Sequence, residues 1–281
     1  MILSNILVSF RYLLTRSVIK MFIDLVYISG LSNMKFHLAR VLPPLLYLCL
    51  LPTYASAEVP FSRLWSGYST SLNGRSEEQR GNALLAGRDL DGVIIPPGAT
   101  FSFNQRVGAR DRGKGYRAAP YLTSDGLLVD TPGGGICQLA STIYNAALLG
   151  GVEIVERHPH SRVVPHVPPG RDATISSWRK DLKLKNPFPT PLLLRISAEG
   201  GRLTASFRSV AEKDFRVEIL SEQVVLEPQS VAGQGGKRQN GGTGFSTSTW
   251  RVTEKGGVKS RELLSEDFYP APSRIIAGGG R

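Results

Sequence analysis

The chain has 281 residues, of which 41% are hydrophobic and 20% charged, a composition too apolar for a disordered protein and typical of a globular one. Lysine and arginine outnumber aspartate and glutamate by 34 to 23, which gives a formal net charge of +11. Because the basic residues are scattered and are not interleaved with stacking aromatic residues, we do not expect a nucleic acid as a partner.

The N-terminal region has a pattern typical of protein export. A basic stretch begins at Met34, an apolar run follows over 41–54, and small residues precede Glu58 as in a signal-peptide cleavage site. Prolines interrupt the apolar run, which is also shorter than the roughly 20 residues that a membrane-spanning helix needs. We therefore predict a signal peptide over 34–57 and no transmembrane span in the mature protein. We expect the protein to be periplasmic or extracellular and associated with the cell envelope.

Residues 1–33 lie upstream of this signal, and charged side chains interrupt their apolar runs. We interpret them as a mis-assigned upstream segment and predict that translation starts at Met34; a retained amphipathic anchor is the alternative. The rest of the chain predicts an α+β domain over 58–208 and a β-rich, glycine-rich extension over 209–281. The chain remains basic without the signal, which favours peptidoglycan or another anionic envelope polymer as a partner, although a basic surface also aids solubility.

Short helices and strands are predicted in the first part of the domain. Residues 76–91 predict a helix with acidic residues in its first turn, where the helix dipole favours them. Residues 93–95 predict a short strand, and the alternation over 101–104 predicts a half-buried strand. The run over 108–115 predicts a loop, because it is basic and glycine-rich. Phosphate binding is the alternative, although the run lacks the spacing of a P-loop.

The segment 131–151 carries the strongest local pattern. Three glycines precede a helical pattern that ends at two further glycines, and Ile136, Leu139 and Ile143 form its core-facing stripe. Cys137 lies beside that stripe in the first turn, where the partial positive charge of a helix N-terminus stabilises a thiolate. The segment therefore predicts a helix-borne nucleophile. The alternative is a small buried cysteine that follows a tight glycine turn.

Cys137 is the only cysteine that remains once the signal, which contains Cys49, is removed. An unpaired thiol in an oxidising compartment has to be either buried or used. Asp172 and Asp181 are both candidates to orient an imidazole base. Three histidines lie on one segment that we predict as a strand, and they are His158, His160 and His166. These histidines would also suit a metal site, but neither a cysteine pair nor an HExxH motif accompanies them, so we predict no metal and no cofactor.

The second half of the chain predicts mainly strands. Residues 182–185, 192–197 and 203–207 alternate as short strands of one antiparallel sheet. Further strands are predicted over 215–227 and 245–265, on either side of a glycine-rich loop. These patterns predict an α+β fold in which the cysteine-bearing helix packs on an antiparallel sheet and a small β-rich C-terminal extension follows.

Six segments, taken in chain order, resemble the VanW family, which is named for a protein encoded beside vancomycin-resistance genes. They are PPGATFSFNQRVG, GYRAAP, PGGGICQLASTIYNAAL, ERHPHS, GRDATI and DLKLKN, and they fall between about Ser71 and Phe207. The resemblance implies an exported or wall-facing bacterial protein connected with the cell envelope or with the response to glycopeptides. It does not supply a reaction, because a fold does not determine a function.

Ten residues stand at positions of the family pattern, and they are Cys137, Gln138, Thr142, Tyr144, Asn145, Arg157, His160, Asp172, Asp181 and Asn186. His158 and His166 fall where the family varies, so the resemblance selects His160 as the base. Ala140 departs from the pattern, because serine is frequent at that position.

Two functions follow as hypotheses. The first is a thiol-dependent peptidase, amidase or acyl transferase on peptidoglycan stem peptides, in which Cys137 attacks a carbonyl, His160 moves the proton and Asp172 orients the imidazole. The second is a non-catalytic envelope protein that binds a peptide carboxylate through Arg110, Arg157 and glycine amides. The residues predicted to contact substrate or an oxyanion are Gly133, Gly134, Gly135, Gln138, Ser141, Thr142, Tyr144, Asn145, Arg110, Arg157 and Asp181.

Overall fold

The computed structural model describes residues 61–122, 128–177, 179–233 and 240–277. The segments predicted to be an upstream region and a signal peptide, 1–33 and 34–57, lie outside these residues. The described residues fall within one compact unit, Glu58–Arg281. In the described part of the chain no helix is long and apolar enough to cross a membrane.

A few helices and mostly antiparallel strands make up the fold, which confirms the α+β class. The helices are α1 (Glu77–Leu90), α2 (Phe103–Val107) and α3 (Ile136–Gly150), with a 3-10 turn at Arg112–Lys114. The strands are β1 (Arg63–Ser71), β2 (Ile94–Ile95), β3 (Thr100–Ser102), β4 (Ala118–Leu122), β5 (Leu128–Pro132), β6 (Glu153–Glu156), β7 (Lys183–Lys185), β8 (Leu192–Glu199), β9 (Arg202–Ser209), β10 (Phe215–Leu226), β11 (Ser230–Gly233), β12 (Gly244–Lys255), β13 (Val258–Tyr269) and β14 (Arg274–Ala277).

Helix α1 begins where the sequence supplies a capping box. The side chain of Ser76 accepts a hydrogen bond from the backbone N–H of Gln79, and the Gln79 side chain accepts one from the N–H of Ser76. The predicted helix is thereby confirmed to within one residue at each end. Strand β1 is absent from the sequence prediction because its sequence is largely polar, and it is formed through pairing with β9.

Helix α3 lies at the centre of the core. Gly135 precedes it with a φ of 100° and Gly151 follows it with a φ of 72°, both in the left-handed region that favours glycine. Nearly all of its side chains are buried. The helix packs on β1, β9 and α1, and its apolar residues share a core with Leu194 and Phe207.

The strands of the first domain form two small sheets and one strand pair. The antiparallel sheet against α3 has the order β1-β9-β8-β2, a second has the order β3-β7-β6, and β4 pairs with β5. The strands predicted over 182–185, 192–197 and 203–207 are confirmed as β7, β8 and β9. They belong to two sheets rather than to the single sheet predicted, because β7 pairs with β3 and β6.

Two local predictions are wrong. The strand predicted over 101–104 ends at Ser102, whose side chain accepts a hydrogen bond from the N–H of Gln105 and caps α2. The histidine-bearing segment between β6 and β7 is no strand: its described residues form turns and loops with one isolated bridge, Ser176 to Lys180. Prolines recur between residues 159 and 169, and each lacks the backbone N–H that a strand ladder needs.

The C-terminal strands pack against the histidine-bearing segment. Residues predicted as strand over 245–265 form the hairpin β12–β13, and β10 completes a sheet of order β10-β12-β13. The Thr249 hydroxyl donates to the Gly170 carbonyl at 3.3 Å, and Arg251 Nη1 donates to the Val152 carbonyl at 2.8 Å. The predicted boundary between 208 and 209 stays a prediction, but buried hydrogen bonds connect the residues on its two sides.

We expect Gly134→Ala to destabilise the fold. A Cβ at this position would lie 2.1 Å from the backbone carbonyl oxygen of Ala119, so the chain must shift to accommodate it. The expected loss in the free energy of unfolding is roughly 1–3 kcal/mol, measured by urea denaturation.

Gly81→Ala in α1 is the matched control. A Cβ on Gly81 meets no atom within 4 Å, and alanine stabilises a helix interior by roughly 0.5–1 kcal/mol relative to glycine. Equal effects of the two substitutions would contradict the close approach of Gly134 to Ala119.

Candidate functional site

Cys137 is the second residue of α3 and lies at the junction of two clefts. Its thiol is free of any disulfide and is half-buried. The His166 cleft, of about 390 Å³, is lined by Cys137 together with Arg75, Tyr121, Gln138, Pro165 and His166. The Arg110 cleft, of about 260 Å³, is lined by Cys137 together with Arg110, Thr131, Gly133, Ser176 and Ser177. A group that enters either cleft therefore approaches Cys137.

His160 connects Cys137 to a buried carboxylate. Its imidazole lies close enough to the Cys137 thiol to lower the pKa of that thiol, and its Nδ1 lies 2.5 Å from Oδ2 of Asp172. Since Nδ1 is bonded to the carboxylate, Nε2 is the ring nitrogen that remains for the sulfur. The backbone N–H of His160 donates to the same Oδ2 at 2.7 Å. The structure thus brings the three residues predicted for catalysis together.

The second oxygen of Asp172 is held equally tightly. Its Oδ1 accepts hydrogen bonds from Arg157 Nη2 at 2.9 Å and from the Tyr269 hydroxyl at 2.5 Å. Arg157 Nη1 in turn donates to both oxygens of Asp267, at 2.5 and 2.7 Å. The charged side chains of this network are at most 5% exposed. Because a buried charge is stable only when it is paired, the network fixes the orientation of Asp172.

These contacts favour the charged forms of all three groups. Burial alone raises the pKa of the Cys137 thiol, but the hydrogen bond and charge of His160 bring that pKa below its usual range. Burial lowers the pKa of His160, yet its hydrogen bonds to Asp172 and Cys137 raise it to about 9. Burial also opposes ionisation of Asp172, and its bonds to His160 and Arg157 nevertheless hold the pKa at about 2. At neutral pH the site therefore favours the imidazolium and the carboxylate, and the imidazolium shifts the thiol toward its thiolate form.

The three glycines before α3 form its N-terminal turn, and two of their amide groups are already engaged. The N–H groups of Gly133 and Gly134 donate to backbone carbonyl oxygens at 3.3 and 3.1 Å. Of the amide groups in this turn, those of Gly135 and Cys137 therefore remain as candidate donors to an oxyanion.

Four polar residues of α3 that we predicted to contact substrate are bonded within the protein. They are Gln138, Ser141, Thr142 and Asn145, all buried. Their partners are, in the same order, the Ser71 carbonyl, the Ala173 N–H, the Thr70 hydroxyl and the Arg171 carbonyl. Gln138 also faces the His166 cleft, where it accepts a hydrogen bond from Arg75. The others attach α3 to β1 and to the segment that carries Asp172.

Two further residues that we predicted to contact substrate, Tyr144 and Asp181, interact with other side chains of the protein. Tyr144 is buried, with its ring centroid 5.3 Å from the Arg157 guanidinium. Of the two carboxylates predicted as candidates to orient the imidazole, Asp172 is the one that hydrogen-bonds it. The Asp181 carboxylate instead lies against the first turn of α2. There Asp181 accepts hydrogen bonds from Ser102 Oγ at 2.6 Å and from the Asn104 N–H at 2.9 Å.

The other two histidines are placed differently from His160. His158 pairs with Glu156 at 3.0 Å. His166 bonds Arg75 at 3.0 Å, and burial together with the charge of Arg75 lowers its pKa to about 3. Within the described ranges no cluster of three or more histidine, cysteine, aspartate or glutamate residues could hold a metal ion.

Sequence reasoning missed Asp267 and Tyr269, which lie on β13. They stand 110 and 97 positions after their partners Arg157 and Asp172. Period-2 alternation places both on one face of the strand, which is the only local signal they carry. It gives no indication of the partners.

Comparison with known proteins identifies the region that carries the site. Residues 78–208 match a family model described as VanW like protein. The chain is 42% identical over 164 residues to "Uncharacterized protein YoaR" of Bacillus subtilis. This alignment covers 58% of this chain and 54% of the relative. It is 35% identical over 112 residues to "Vancomycin B-type resistance protein VanW" of Enterococcus faecalis, over 37% of this chain and 40% of the relative. The matched part therefore spans about half or less of these relatives.

The C-terminal residues of the site lie beyond the matched region. Asp267 and Tyr269 follow residue 208, where the family model ends. A solved structure titled "Crystal structure of HP0197-G5" aligns with 24% of this chain and all of its own length, at 21% identity. Its TM-score of 0.17 is too low to support a shared fold.

We expect Tyr269→Phe to destabilise the protein by roughly 1.5–3 kcal/mol, because it removes a hydrogen bond to a buried carboxylate. Tyr116→Phe is the matched control. Both tyrosines are at most 2% exposed, but the Tyr116 hydroxyl has no partner among the described residues. Its removal should be neutral or stabilising in urea denaturation at pH 7. A Tyr269→Phe variant as stable as Tyr116→Phe would contradict the support of Asp172 by Tyr269.

Proposed function

We propose that residues 78–208, which match the model described as VanW like protein, form a thiol-dependent peptidase, amidase or acyl transferase of that family. The observation that carries the proposal is the position of His160, which interacts with the Cys137 thiol on one side and hydrogen-bonds the Asp172 carboxylate through Nδ1 on the other. A buried cysteine with only a packing role needs neither an imidazole partner nor a carboxylate behind it. The depressed pKa of Cys137 and the raised pKa of His160 are those of a nucleophile and a general acid.

The proposed reaction proceeds in two steps. The Cys137 thiolate attacks the carbonyl carbon of an amide, and the amides of Gly135 and Cys137 hold the negative charge that develops on the oxygen. His160 gives its proton to the departing nitrogen, which leaves a thioester on Cys137. Water or an acceptor amine then attacks the thioester, gives its proton to His160 and releases the thiolate. Asp172 keeps the imidazole oriented through both steps.

We propose peptidoglycan stem peptides as the substrate and the cell envelope as the location. Support comes from the export pattern predicted over 34–57 and from the basic charge of the chain. Further support comes from the name of the enterococcal relative, which associates that protein with vancomycin resistance. Stem peptides offer amide bonds that are accessible outside the membrane, as an exported enzyme of this chemistry requires.

A second candidate function is non-catalytic binding of a peptide carboxylate in the envelope. The unpaired guanidinium nitrogen of Arg110 beside Cys137 favours it. Arg157, the other arginine predicted for this role, is occupied by Asp172 and Asp267. A binding protein should retain its ligand after Cys137→Ser, whereas an enzyme of this kind should lose its product.

We expect Cys137 to react with iodoacetamide at pH values well below the free-thiol pKa of about 8.5, because His160 stabilises the thiolate. His160→Gln should raise the pKa that governs the reaction, and the rate at pH 6 should fall roughly tenfold for each unit of that rise. The rate profile over pH 4–10 measures the effect, with His158→Gln as the matched control since His158 pairs with Glu156. A thiol that reacts only after unfolding, or that is indifferent to His160→Gln, would overturn the proposed pair.

We expect Cys137→Ala to lower the rate at which muropeptides gain free amino groups or cross-links by at least about a thousandfold. The wild-type activity should fall as pH rises through about 9, because His160 then loses the proton that it gives to the leaving amine. Mass spectrometry of the muropeptides measures both effects. Equal products from Cys137→Ala and the wild type would exclude the thiol from the reaction.

A further inference from the structure

The Arg110 cleft contains a guanidinium group whose hydrogen-bonding capacity is only partly used. Arg110 Nη2 donates to Asn104 Oδ1, and the guanidinium lies 5.8 Å from the centroid of the Phe103 ring. Its Nε is buried and has no partner among the described residues. No ion pair of Arg110 occurs within the described ranges either, whereas the buried Arg157 has two carboxylate partners.

A largely buried guanidinium that lacks one hydrogen-bond partner is costly to the fold. Burial lowers the pKa of Arg110, whereas the negative charges of Cys137 and Asp181 raise it. The thiolate is therefore close enough to interact with Arg110 electrostatically. The guanidinium that lines the cleft therefore has no carboxylate at ion-pair distance among the described residues, and a carboxylate that enters the cleft would supply one.

We propose that the Arg110 cleft is a subsite for a carboxylate, which belongs to a substrate residue adjacent to the attacked carbonyl. This inference rests on the proposed function, because the cleft is defined by its opening at Cys137. The planar fork of arginine matches the two oxygens of a carboxylate. The hydroxyls of Thr131, Ser176 and Ser177 line the same cleft and can donate further hydrogen bonds.

The size of the cleft limits what it can hold. At about 260 Å³ it is smaller than the roughly 300–1,000 Å³ typical of sites for drug-sized ligands. It therefore suits one small residue with its carboxylate rather than an extended chain. The preferred substrate is accordingly a peptide with a free carboxylate on the residue next to the bond that is broken, and amidation of that carboxylate should weaken binding.

Two alkylating reagents test the subsite without knowledge of the natural substrate. The thiolate displaces iodide from the CH₂ carbon of both iodoacetate and iodoacetamide, but only iodoacetate carries a carboxylate. We expect the ratio of the iodoacetate to the iodoacetamide rate to be higher for wild-type Cys137 than for glutathione. Arg110→Gln should lower the ratio by roughly tenfold or more, the effect of removing a charge-assisted hydrogen bond. The ratio cancels any change in the thiolate fraction, which affects both reagents alike.

Two variants control for charge and for folding. Arg162→Gln removes one exposed arginine from the His166 cleft and should leave the ratio unchanged. Arg110→Lys keeps the charge without the fork and should give an intermediate ratio. Urea denaturation confirms that each variant is folded at the pH of the assay. Equal ratios in the wild type and in folded Arg110→Gln would overturn the subsite, as would an equal loss in Arg162→Gln.

Failure of the subsite and failure of the proposed function give different results. If iodoacetamide alone shows no thiolate at neutral pH in the wild type, the proposed nucleophile fails. If iodoacetamide reacts as expected but the ratio of the iodoacetate to the iodoacetamide rate is the same in the wild type and in Arg110→Gln, only the subsite fails.

Protection experiments identify the anion. Acetyl-dialanine with a free carboxylate should slow the reaction of iodoacetamide, while its amidated form and inorganic phosphate should not. Equal protection by phosphate or by the amide would overturn the carboxylate specificity.

Discussion

The arrangement of the site depends on the buried carboxylate of Asp172. Its Oδ2 accepts from the ring and the backbone of His160, and its Oδ1 accepts from Arg157 and Tyr269. Removing a carboxylate from water costs several kcal/mol, which only well-aligned donors offset. Four donors surround this one: three belong to Arg157 and His160, and the fourth belongs to Tyr269, 97 positions after Asp172. The orientation of His160 is therefore set by the same interaction that holds these residues together.

The C-terminal strands contribute two side chains to this network. Tyr269 and Asp267 lie on β13, beyond residue 208 where the family match ends. Tyr269 also accepts a hydrogen bond from the Gly170 N–H at 3.0 Å, close to Asp172 in the chain. The strands after residue 209 thus support the proposed catalytic carboxylate and do more than extend the domain. A piece of the chain that ended at residue 208 would leave the charges of Asp172 and Arg157 without these partners, which is strongly unfavourable in a buried environment.

Local sequence signals predicted the elements that depend on local interactions. The capping box at Ser76 and the glycines around α3 determine helix ends through contacts within one turn, and both helices were predicted to within a few residues. Strand β1 carries no such signal, because its polar residues become buried only against β9 and α3. The segment that carries His160 was predicted as a strand because a strand after the helix would bring the imidazole to the thiol without a long loop. Its prolines lack the N–H groups that a strand ladder needs, and the segment forms turns and loops instead.

The same distinction applies to the site. The family pattern marked Cys137, His160 and Asp172, which the fold brings into contact. It also marked Gln138, Thr142 and Asn145, whose polar side chains stabilise buried backbone groups beside the site. A sequence pattern does not distinguish a group that contacts substrate from one that supports its neighbour. That distinction needs the hydrogen-bond partners, which lie on other elements.

The network connects the stability of the fold with the chemistry proposed for the site. The pKa of Asp172 is about 2 in the fold, below its value of about 3.9 in an unfolded chain, so its contribution to stability is present above pH 4 and is lost as the pH falls toward 2. The pKa of His160 is about 9, above its unfolded value of about 6.5, so its contribution is complete below pH 6.5 and is lost as the pH rises through 9. Between these limits the imidazolium and the carboxylate stabilise each other. The proton that His160 holds there is also the one that the proposed reaction transfers, so reactivity and stability decline together above that range.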